Sequence, residues 1–149
     1  MDFSKFDKAI DIKGLKEDVA SAQDNSGGGN YREVPHGAYE VEVTKLELTA
    51  SKKGDPMVTI WFKIVSGDYE NSLIFMNQVI TQGFQVHIVN ELLRTMSEKD
   101  VKFDSYSQYG ELLMDIHEEI EGNYEFALEY GERKGFNTFK INERFLLEG

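Results

Sequence analysis

The sequence predicts a mainly β domain of five strands, with a helical insertion between the third strand and the fourth. Three segments of alternating apolar and polar residues come first, two segments with helical spacing follow, and a pair of alternating segments joined by a glycine-flanked loop closes the chain. Alternation places successive side chains on opposite faces of a strand, whereas a spacing of three and four residues places them on one face of a helix. These patterns define the fold class.

The length of 149 residues and the absence of cysteine limit the classes of protein to which the chain can belong. A chain of this length fits one domain with a substantial core, and 40% hydrophobic residues indicate a globular protein. No apolar run approaches the roughly 18 residues of a membrane span, and the N-terminus lacks the apolar region of a signal peptide. Without cysteine there is no disulfide, thiolate metal site or cysteine nucleophile, which fits a cytoplasmic protein.

The net charge of −11 by itself argues against a nucleic-acid partner. The charge is unevenly distributed, however. Residues 98–122 hold eight acidic and two basic side chains, whereas residues 38–67 and 123–144 each hold four acidic and four basic side chains. The segments predicted as strands are therefore neutral and can carry local basic stripes, while the acidic body repels nucleic acid from the other faces.

Residues 1–30 are predicted to be an appendage, separate from a main domain over residues 31–149. Apolar residues spaced three and four apart predict one or two short amphipathic helices up to residue 24. Residues 25–30, Asn-Ser-Gly-Gly-Gly-Asn, form a flexible linker by composition. Two interpretations stay open: the appendage docks on its own domain or frays, or it binds a partner chain.

Strand 1 is predicted from Ala38 to Thr49, after a turn at Pro35. Its alternation changes phase after Lys45, because the apolar residues move from odd positions to even ones. A change of phase within one strand indicates a β-bulge or a sharp bend.

Strand 2 is predicted from Met57 to Val65 and contains the only tryptophan of the chain. Thr59, Trp61 and Lys63 alternate with apolar residues, so one face of the strand is predicted to be core and the other to carry an aromatic ring beside a positive charge. Such a pairing suits a surface that stacks bases and neutralises phosphates. The structural alternative is that the tryptophan is a partly covered aromatic residue on an ordinary half-buried strand. The face predicted to be buried consists of Val58, Ile60, Phe62 and Ile64.

Strand 3 is predicted from about Asn71 to Ile80. Both of its faces are largely apolar, so the buried face stays undetermined, but Phe75 and Asn77 share a face. A helix is then predicted over residues 81–96, and a second helix over residues 105–121. The first has an apolar stripe that includes Phe84, Ile88 and Leu92.

Strand 4 is predicted over residues 124–130 and strand 5 over residues 136–146, joined by the hairpin loop Gly131–Gly135. Three strands, a helical insertion and a closing hairpin follow one another in the order of an OB-fold barrel. In that fold, oligonucleotides lie across strands 2 and 3 and against the loops between strands 1 and 2 and between strands 4 and 5. Here the first of these loops is Ser51–Pro56. The sequence thus predicts a five-stranded, OB-fold-like barrel.

Both loops carry adjacent cations, and the predicted outer face of strand 2 lies between them. These features define one candidate nucleic-acid interface. Phe75, Tyr130 and Phe136 are weaker stacking candidates, since core or loop packing accounts better for each of them. The candidate binding residues are Trp61, Lys63, Lys52, Lys53, Thr59, Phe75, Asn77, Arg133, Lys134 and Lys140.

A catalytic interpretation has little support in the sequence. His36, His87 and His117 are the only histidines, and no two stand at metal-ligand spacing on one element. His117 lies among glutamates, which favours a solvated helix face over a metal site. Phosphate-binding and nucleophile-elbow motifs are absent. We therefore expect no enzymatic activity, no metal and no cofactor.

Three segments resemble a family of small phage and prophage proteins long catalogued as a domain of unknown function. They are Val-Pro-His-Gly-Ala-Tyr-Glu-Val-Glu-Val (34–43), Ser-Lys-Lys-Gly-Asp-Pro-Met (51–57) and Ile-Phe-Met-Asn-Gln-Val-Ile-Thr-Gln-Gly-Phe-Gln-Val-His (74–87). Members of that family are commonly regarded as single-stranded DNA-binding proteins of phage replication and recombination. The resemblance implies this function, in the cytoplasm of an infected bacterial host.

The sequence thus leads to one main hypothesis and two others. The main hypothesis is non-enzymatic binding of single-stranded DNA by base stacking and phosphate contacts. The second is a protein-interaction adaptor on the same fold, which recruits a phage or host replication protein. A nuclease that uses the acidic segment is the third. Candidate partners are single-stranded DNA, a phage helicase or recombinase, and a second copy of the chain in a homodimer; a membrane is not among them.

Overall fold

The computed structural model of the protein describes residues 33–147. Its elements follow the predicted order of three strands, two helices and two strands. The appendage and linker predicted over residues 1–30 lie outside the described residues. The elements are β1 (Gly37–Ala50), β2 (Pro56–Ile64), β3 (Leu73–Val79), α1 (Gly83–Ser97), α2 (Tyr106–Ile120), β4 (Tyr124–Arg133) and β5 (Phe136–Leu146).

The five strands form one antiparallel sheet in the order β3-β2-β1-β4-β5. The predicted closure into a five-stranded barrel is wrong, because β3 and β5 are the two edges of the sheet and no ladder joins them among the described residues. The sheet is nevertheless strongly curved: the rings of Phe62 on β2 and Phe139 on β5 lie 6.0 Å apart, although two strands separate β2 from β5.

The two helices, rather than a closed ring of strands, complete the core of the domain. Helix α2 packs against β1, and α1 packs against β5. Leu93 and Met96 of α1 and Tyr109 and Leu113 of α2 join the buried cluster of the sheet. Because the helices cover the apolar concave side, the sheet buries its core without closing on itself.

The phase change in strand 1 is a β-bulge, as predicted. The register between β1 and β2 shifts between Val43 and Lys45, so that Val43 is opposite Phe62 and Lys45 is opposite Trp61. Val43 and Leu46 are therefore both buried, although an odd and an even position would otherwise lie on opposite faces. The bulge also turns Lys45 to the outer side of the sheet.

The predicted inner face of β2 is confirmed. Its four apolar residues are 0% exposed, whereas Trp61 and Lys63 are partly exposed on the other face. Burial of each such side chain is worth about 1.5–3 kcal/mol, so β2 forms the centre of the core. The four buried residues are Val58, Ile60, Phe62 and Ile64.

Both predicted helices are present, but the predicted buried stripe of the first is partly wrong. Phe84 and Ile88 are exposed, whereas Leu92 is buried. The buried residues of α1 begin at Val89, so the first part of the helix contributes no fully buried side chain to the core. Helix α2 starts at the capping residue Ser105, whose hydroxyl accepts a hydrogen bond from a backbone N–H in the first turn. In the described part of the chain, neither helix has the length and apolarity required to traverse a lipid bilayer.

Arg144 of β5 joins the end of α1 to the sheet. Its guanidinium donates to a carboxylate oxygen of Glu98 at 2.9 Å and lies 3.4 Å from the carbonyl oxygens of Met96 and Ser97. It also lies 4.0 Å from the centroid of the Tyr124 ring. A cation is favourable at a helix C-terminus, where carbonyl groups lack partners within the helix.

Candidate nucleic-acid interface

The outer face of β1, β2 and β3 carries a row of three side chains across neighbouring strands. The register places Lys45 opposite Trp61, and Trp61 opposite Phe75. The Trp61 and Phe75 rings meet edge to face, with centroids 5.4 Å apart and planes at 89°. The Lys45 ammonium nitrogen lies 4.4 Å from the centroid of the Trp61 ring, which is a cation–π distance. We call Lys45, Trp61 and Phe75 the aromatic row.

The neighbouring row on the same face is polar. Glu47, Thr59 and Asn77 lie opposite one another on β1, β2 and β3. The Thr59 hydroxyl donates a hydrogen bond to the side-chain oxygen of Asn77 at 3.0 Å. Thr59 is only 6% exposed, whereas Asn77 is exposed. Thr59 therefore positions the Asn77 amide, and because its oxygen accepts this bond, the NH2 group of the exposed side chain is the donor that a ligand could use.

Each lysine of this face lies near a glutamate. The Lys45 nitrogen is 3.3 Å from a carboxylate oxygen of Glu47, and the Lys63 nitrogen is 3.9 Å from one of Glu42. These four side chains carry no net charge together. Such exposed pairs are worth about 0–1 kcal/mol, so a phosphate group can compete with the carboxylates for the two lysines.

The two cationic loops lie at opposite ends of β1. Lys52 and Lys53 are exposed in the turn from β1 to β2, which is closed by a bond of 2.7 Å from the Ser51 N–H to the Asp55 carbonyl. The turn lies about 17 Å along β2 from Trp61. The structure therefore places this lysine pair beyond direct contact with the aromatic row.

Arg133 and Lys134 lie past the other end of β1. Pairing of β1 with β4 ends where Gly37 is opposite Tyr130, and the two cations follow beyond that point. The predicted five-residue loop is shorter in the structure, since β4 and β5 stay paired as far as Arg133 and Phe136. The two loops are thus not neighbours along β1.

Lys140 lies on the outer face of β5, opposite Glu129 of β4. Strands β1 and β4 separate it from β2, so it does not join the aromatic row. The structure brings together Trp61, Phe75, Lys63, Thr59 and Asn77 of the candidate residues. It sets the other candidates apart from them, namely Lys52, Lys53, Arg133, Lys134 and Lys140.

Lys45 is a residue of the candidate interface that was not predicted from the sequence. Its position over the Trp61 ring depends on the bulge, which shifts Lys45 into register with Trp61. The change of phase that marks the bulge is visible in the sequence at Lys45. The register between β1 and β2 was needed to connect that signal with the tryptophan.

Two histidines contact polar side chains, one on a distant strand and one at the end of α2. The His36 Nε2 lies 3.0 Å from the Asn137 side-chain oxygen, and the His117 Nε2 lies 3.5 Å from a carboxylate oxygen of Glu121. Within residues 33–147, no group of three or more His, Asp or Glu side chains is arranged to hold a metal ion.

The fold and this face define a curved, antiparallel β domain with an aromatic and polar outer surface. The model of a family described as "Protein of unknown function (DUF669)" matches residues 17–115. This match covers more than half of the 149 residues, and the chain belongs to that family. The matched region includes β1, β2 and β3, and hence the whole aromatic row. A comparison with curated proteins finds no match.

Proposed function

We propose that the protein binds single-stranded DNA, without catalysing a reaction, on the outer face of β1, β2 and β3. The aromatic row is the observation that carries this proposal. Trp61 and Phe75 form a partly exposed pair of rings on rigid, paired strands, with an ammonium group on the indole. Stacking of a base on such a ring is worth about 1–3 kcal/mol and tolerates any sequence.

Binding requires Lys45 and Lys63 to exchange partners. In the free protein their ammonium groups lie near Glu47 and Glu42. As a base stacks on Trp61, Lys45 leaves the indole and contacts a phosphate, while Asn77 donates to the sugar or the base. The cations of the two loops, Lys52, Lys53, Arg133 and Lys134, contact further phosphates along the DNA. By the resemblance noted above, the setting is phage replication and recombination in the cytoplasm of an infected bacterium.

The fluorescence of Trp61 tests this proposal directly, because it is the only tryptophan of the chain. Titration with oligo-dT is expected to quench the emission, and the affinity is expected to fall as salt increases. Duplex DNA of the same length is the control and is expected to bind more weakly. If oligo-dT does not quench the tryptophan emission at low salt, and the anisotropy of labelled oligo-dT does not change when protein is added, the proposal is wrong.

The adaptor hypothesis has its own supporting observation. Phe84 and Ile88 are exposed one turn apart on α1. If single-stranded DNA does not bind, while Phe84→Ser with Ile88→Ser abolishes capture of a phage helicase or recombinase, the adaptor function replaces DNA binding.

A further inference from the structure

The β4–β5 hairpin projects beyond the rest of the sheet. The ladder between β1 and β4 ends at the pair of Gly37 with Tyr130, but β4 and β5 remain paired for three further positions, as far as Arg133 and Phe136. Three positions extend about 10 Å. Lys134 and Gly135 form the turn with φ angles of 53° and 82°, which are those of a two-residue type I′ hairpin turn. We call residues Arg133–Phe136 the hairpin tip.

The base of this projection is anchored. The His36 Nε2 lies 3.0 Å from the Asn137 side-chain oxygen, which joins the segment before β1 to β5. The His36 ring lies 4.7 Å from the Tyr130 ring, and Tyr130 stacks on Phe139 at 5.5 Å. His36 therefore contacts both strands of the hairpin at its base, through Tyr130 of β4 and Asn137 of β5.

The surface of the tip combines an apolar ring with positive charge. Phe136 is 76% exposed, the highest value among the exposed large hydrophobic residues of the described chain. It lies directly opposite Arg133, and Lys134 follows in the turn; both cations are exposed. A protein of net charge −11 thus presents two cations beside an exposed aromatic ring where the β4–β5 ladder extends past β1. This combination is complementary to a polyanion with flat apolar surfaces, which is the chemistry of nucleic acid.

A lone projecting ring differs from a groove in the way it can bind a base. No neighbouring strand among the described residues lies beside the tip to enclose a nucleotide from its other side. The ring therefore suits a flat surface with one accessible face, such as the last base pair of a duplex. Along β1 the tip is also separate from the aromatic row, since Gly37 and Lys45 are eight positions apart, which is at most about 26 Å.

We infer that the hairpin tip binds the junction between single-stranded and double-stranded DNA. Phe136 stacks on the terminal base pair, Arg133 and Lys134 contact the phosphates that flank it, and the single strand continues toward Trp61. This inference rests on the proposed function and specifies its substrate: a single strand attached to a duplex end, rather than an isolated single strand.

The test compares an oligonucleotide alone, a blunt duplex, and a duplex that carries the same oligonucleotide sequence as a single-stranded tail. The full-length protein is expected to bind the tailed duplex at least about fivefold more tightly than the oligonucleotide, which is the lower end of the stacking range. Phe136→Ala is expected to remove this gain and to change the affinity for the oligonucleotide less than twofold. Phe136→Trp is expected to retain it.

Phe84→Ala is the matched control, because it removes an exposed phenyl ring from α1, far in sequence from the tip. It is expected to leave all three affinities unchanged. A 2-aminopurine in the terminal base pair gives a second readout. The wild-type protein is expected to change the fluorescence of the 2-aminopurine, and the Phe136→Ala variant is expected to leave it unchanged.

The outcomes separate the two proposals. If no nucleic acid binds, the proposed function fails and the junction inference fails with it. If the oligonucleotide binds but the tailed duplex binds no more tightly, only the junction inference is wrong. It is also wrong if Phe136→Ala weakens binding to the oligonucleotide and to the tailed duplex equally, since the tip then contacts the single strand alone.

Discussion

At the scale of single residues, Trp61 is the side chain whose removal best separates stacking from charge. Trp61→Ala is expected to weaken binding of single-stranded DNA by about 1–3 kcal/mol, or roughly 5- to 150-fold, because the stacking surface is lost. The dependence of affinity on salt is expected to stay nearly unchanged, since stacking releases few counterions. Anisotropy of a labelled oligonucleotide at several salt concentrations measures both quantities.

Trp61→Phe is the conservative control for this prediction. It keeps an aromatic face on β2 and is expected to retain part of the affinity. Unchanged binding by Trp61→Ala would place the stacking surface elsewhere on the molecule.

Tyr109 is the residue from which we predict a dependence of stability on pH. It is fully buried, and its hydroxyl donates a hydrogen bond of 2.5 Å to the Asn90 side chain, which joins α2 to α1. Burial raises the pKa of Tyr109 above its usual range, although Arg94 acts in the opposite direction. In the unfolded chain the pKa of tyrosine is about 10.

Because the folded-state pKa is the higher one, the unfolded state loses its proton first as pH rises. The contribution of Tyr109 to stability is therefore fully present below about pH 10 and declines above it, by about 1.4 kcal/mol per pH unit. Urea unfolding between pH 8 and pH 11 is expected to show this decline.

Tyr109→Phe is the control for the pH prediction. At pH 8 it is expected to cost about 1–3 kcal/mol, because the Asn90 side chain loses its donor in the interior. Above pH 10 its free energy of unfolding is expected to fall less steeply than that of the wild type. Burial also raises the pKa of Tyr39 and Tyr130, but these residues are present in both proteins. Equal slopes for the two proteins would contradict the role of Tyr109.

At the scale of elements, the turn between β1 and β2 is the place to separate phosphate contacts from stacking. Changing Lys52 and Lys53 together to alanine is expected to weaken binding of single-stranded DNA and to flatten the plot of log affinity against log salt by about 1.4 units. The reason is that each neutralised phosphate contributes about 0.7 units for a single strand. Titration at four or more salt concentrations gives the slope.

Lys99→Ala with Lys102→Ala is a suitable charge-matched control, since both lysines lie between α1 and α2 among acidic side chains. It is expected to leave the slope unchanged. If the Lys52 and Lys53 variant keeps both its affinity and its slope, the DNA does not pass this turn.

At the scale of the whole molecule, the predicted domain boundary leads to a test of independent folding. The buried core of the described chain extends from Val34 to Ile141 and takes residues from all five strands and both helices. Deletion of residues 1–30 is therefore expected to leave a protein that still unfolds cooperatively. Thermal unfolding followed by circular dichroism, with full-length protein as the control, measures this. Non-cooperative melting after the deletion would show that the N-terminal segment belongs to the core.

Local patterns in the sequence determined the order of the elements, the buried face of β2 and the bulge of β1. Each of these depends on residues close together in the chain: the alternation from Val58 to Ile64 defines a face, and the phase change at Lys45 defines the bulge. Periodicity reports which side of an element is apolar, and in these segments, where only one side is apolar, this is enough to identify the buried face. The function and the domain boundary predicted from the sequence remain predictions.

Only the tertiary structure decided that the sheet is open, that Phe84 and Ile88 are exposed, and that Lys45 covers Trp61. These features depend on contacts between segments distant in sequence. An apolar stripe on a helix does not specify how much of its length reaches the sheet, and five strands in barrel order do not specify that their edges meet. Here helices α1 and α2 fill the concave side of the sheet, so burial of the core is achieved without closure.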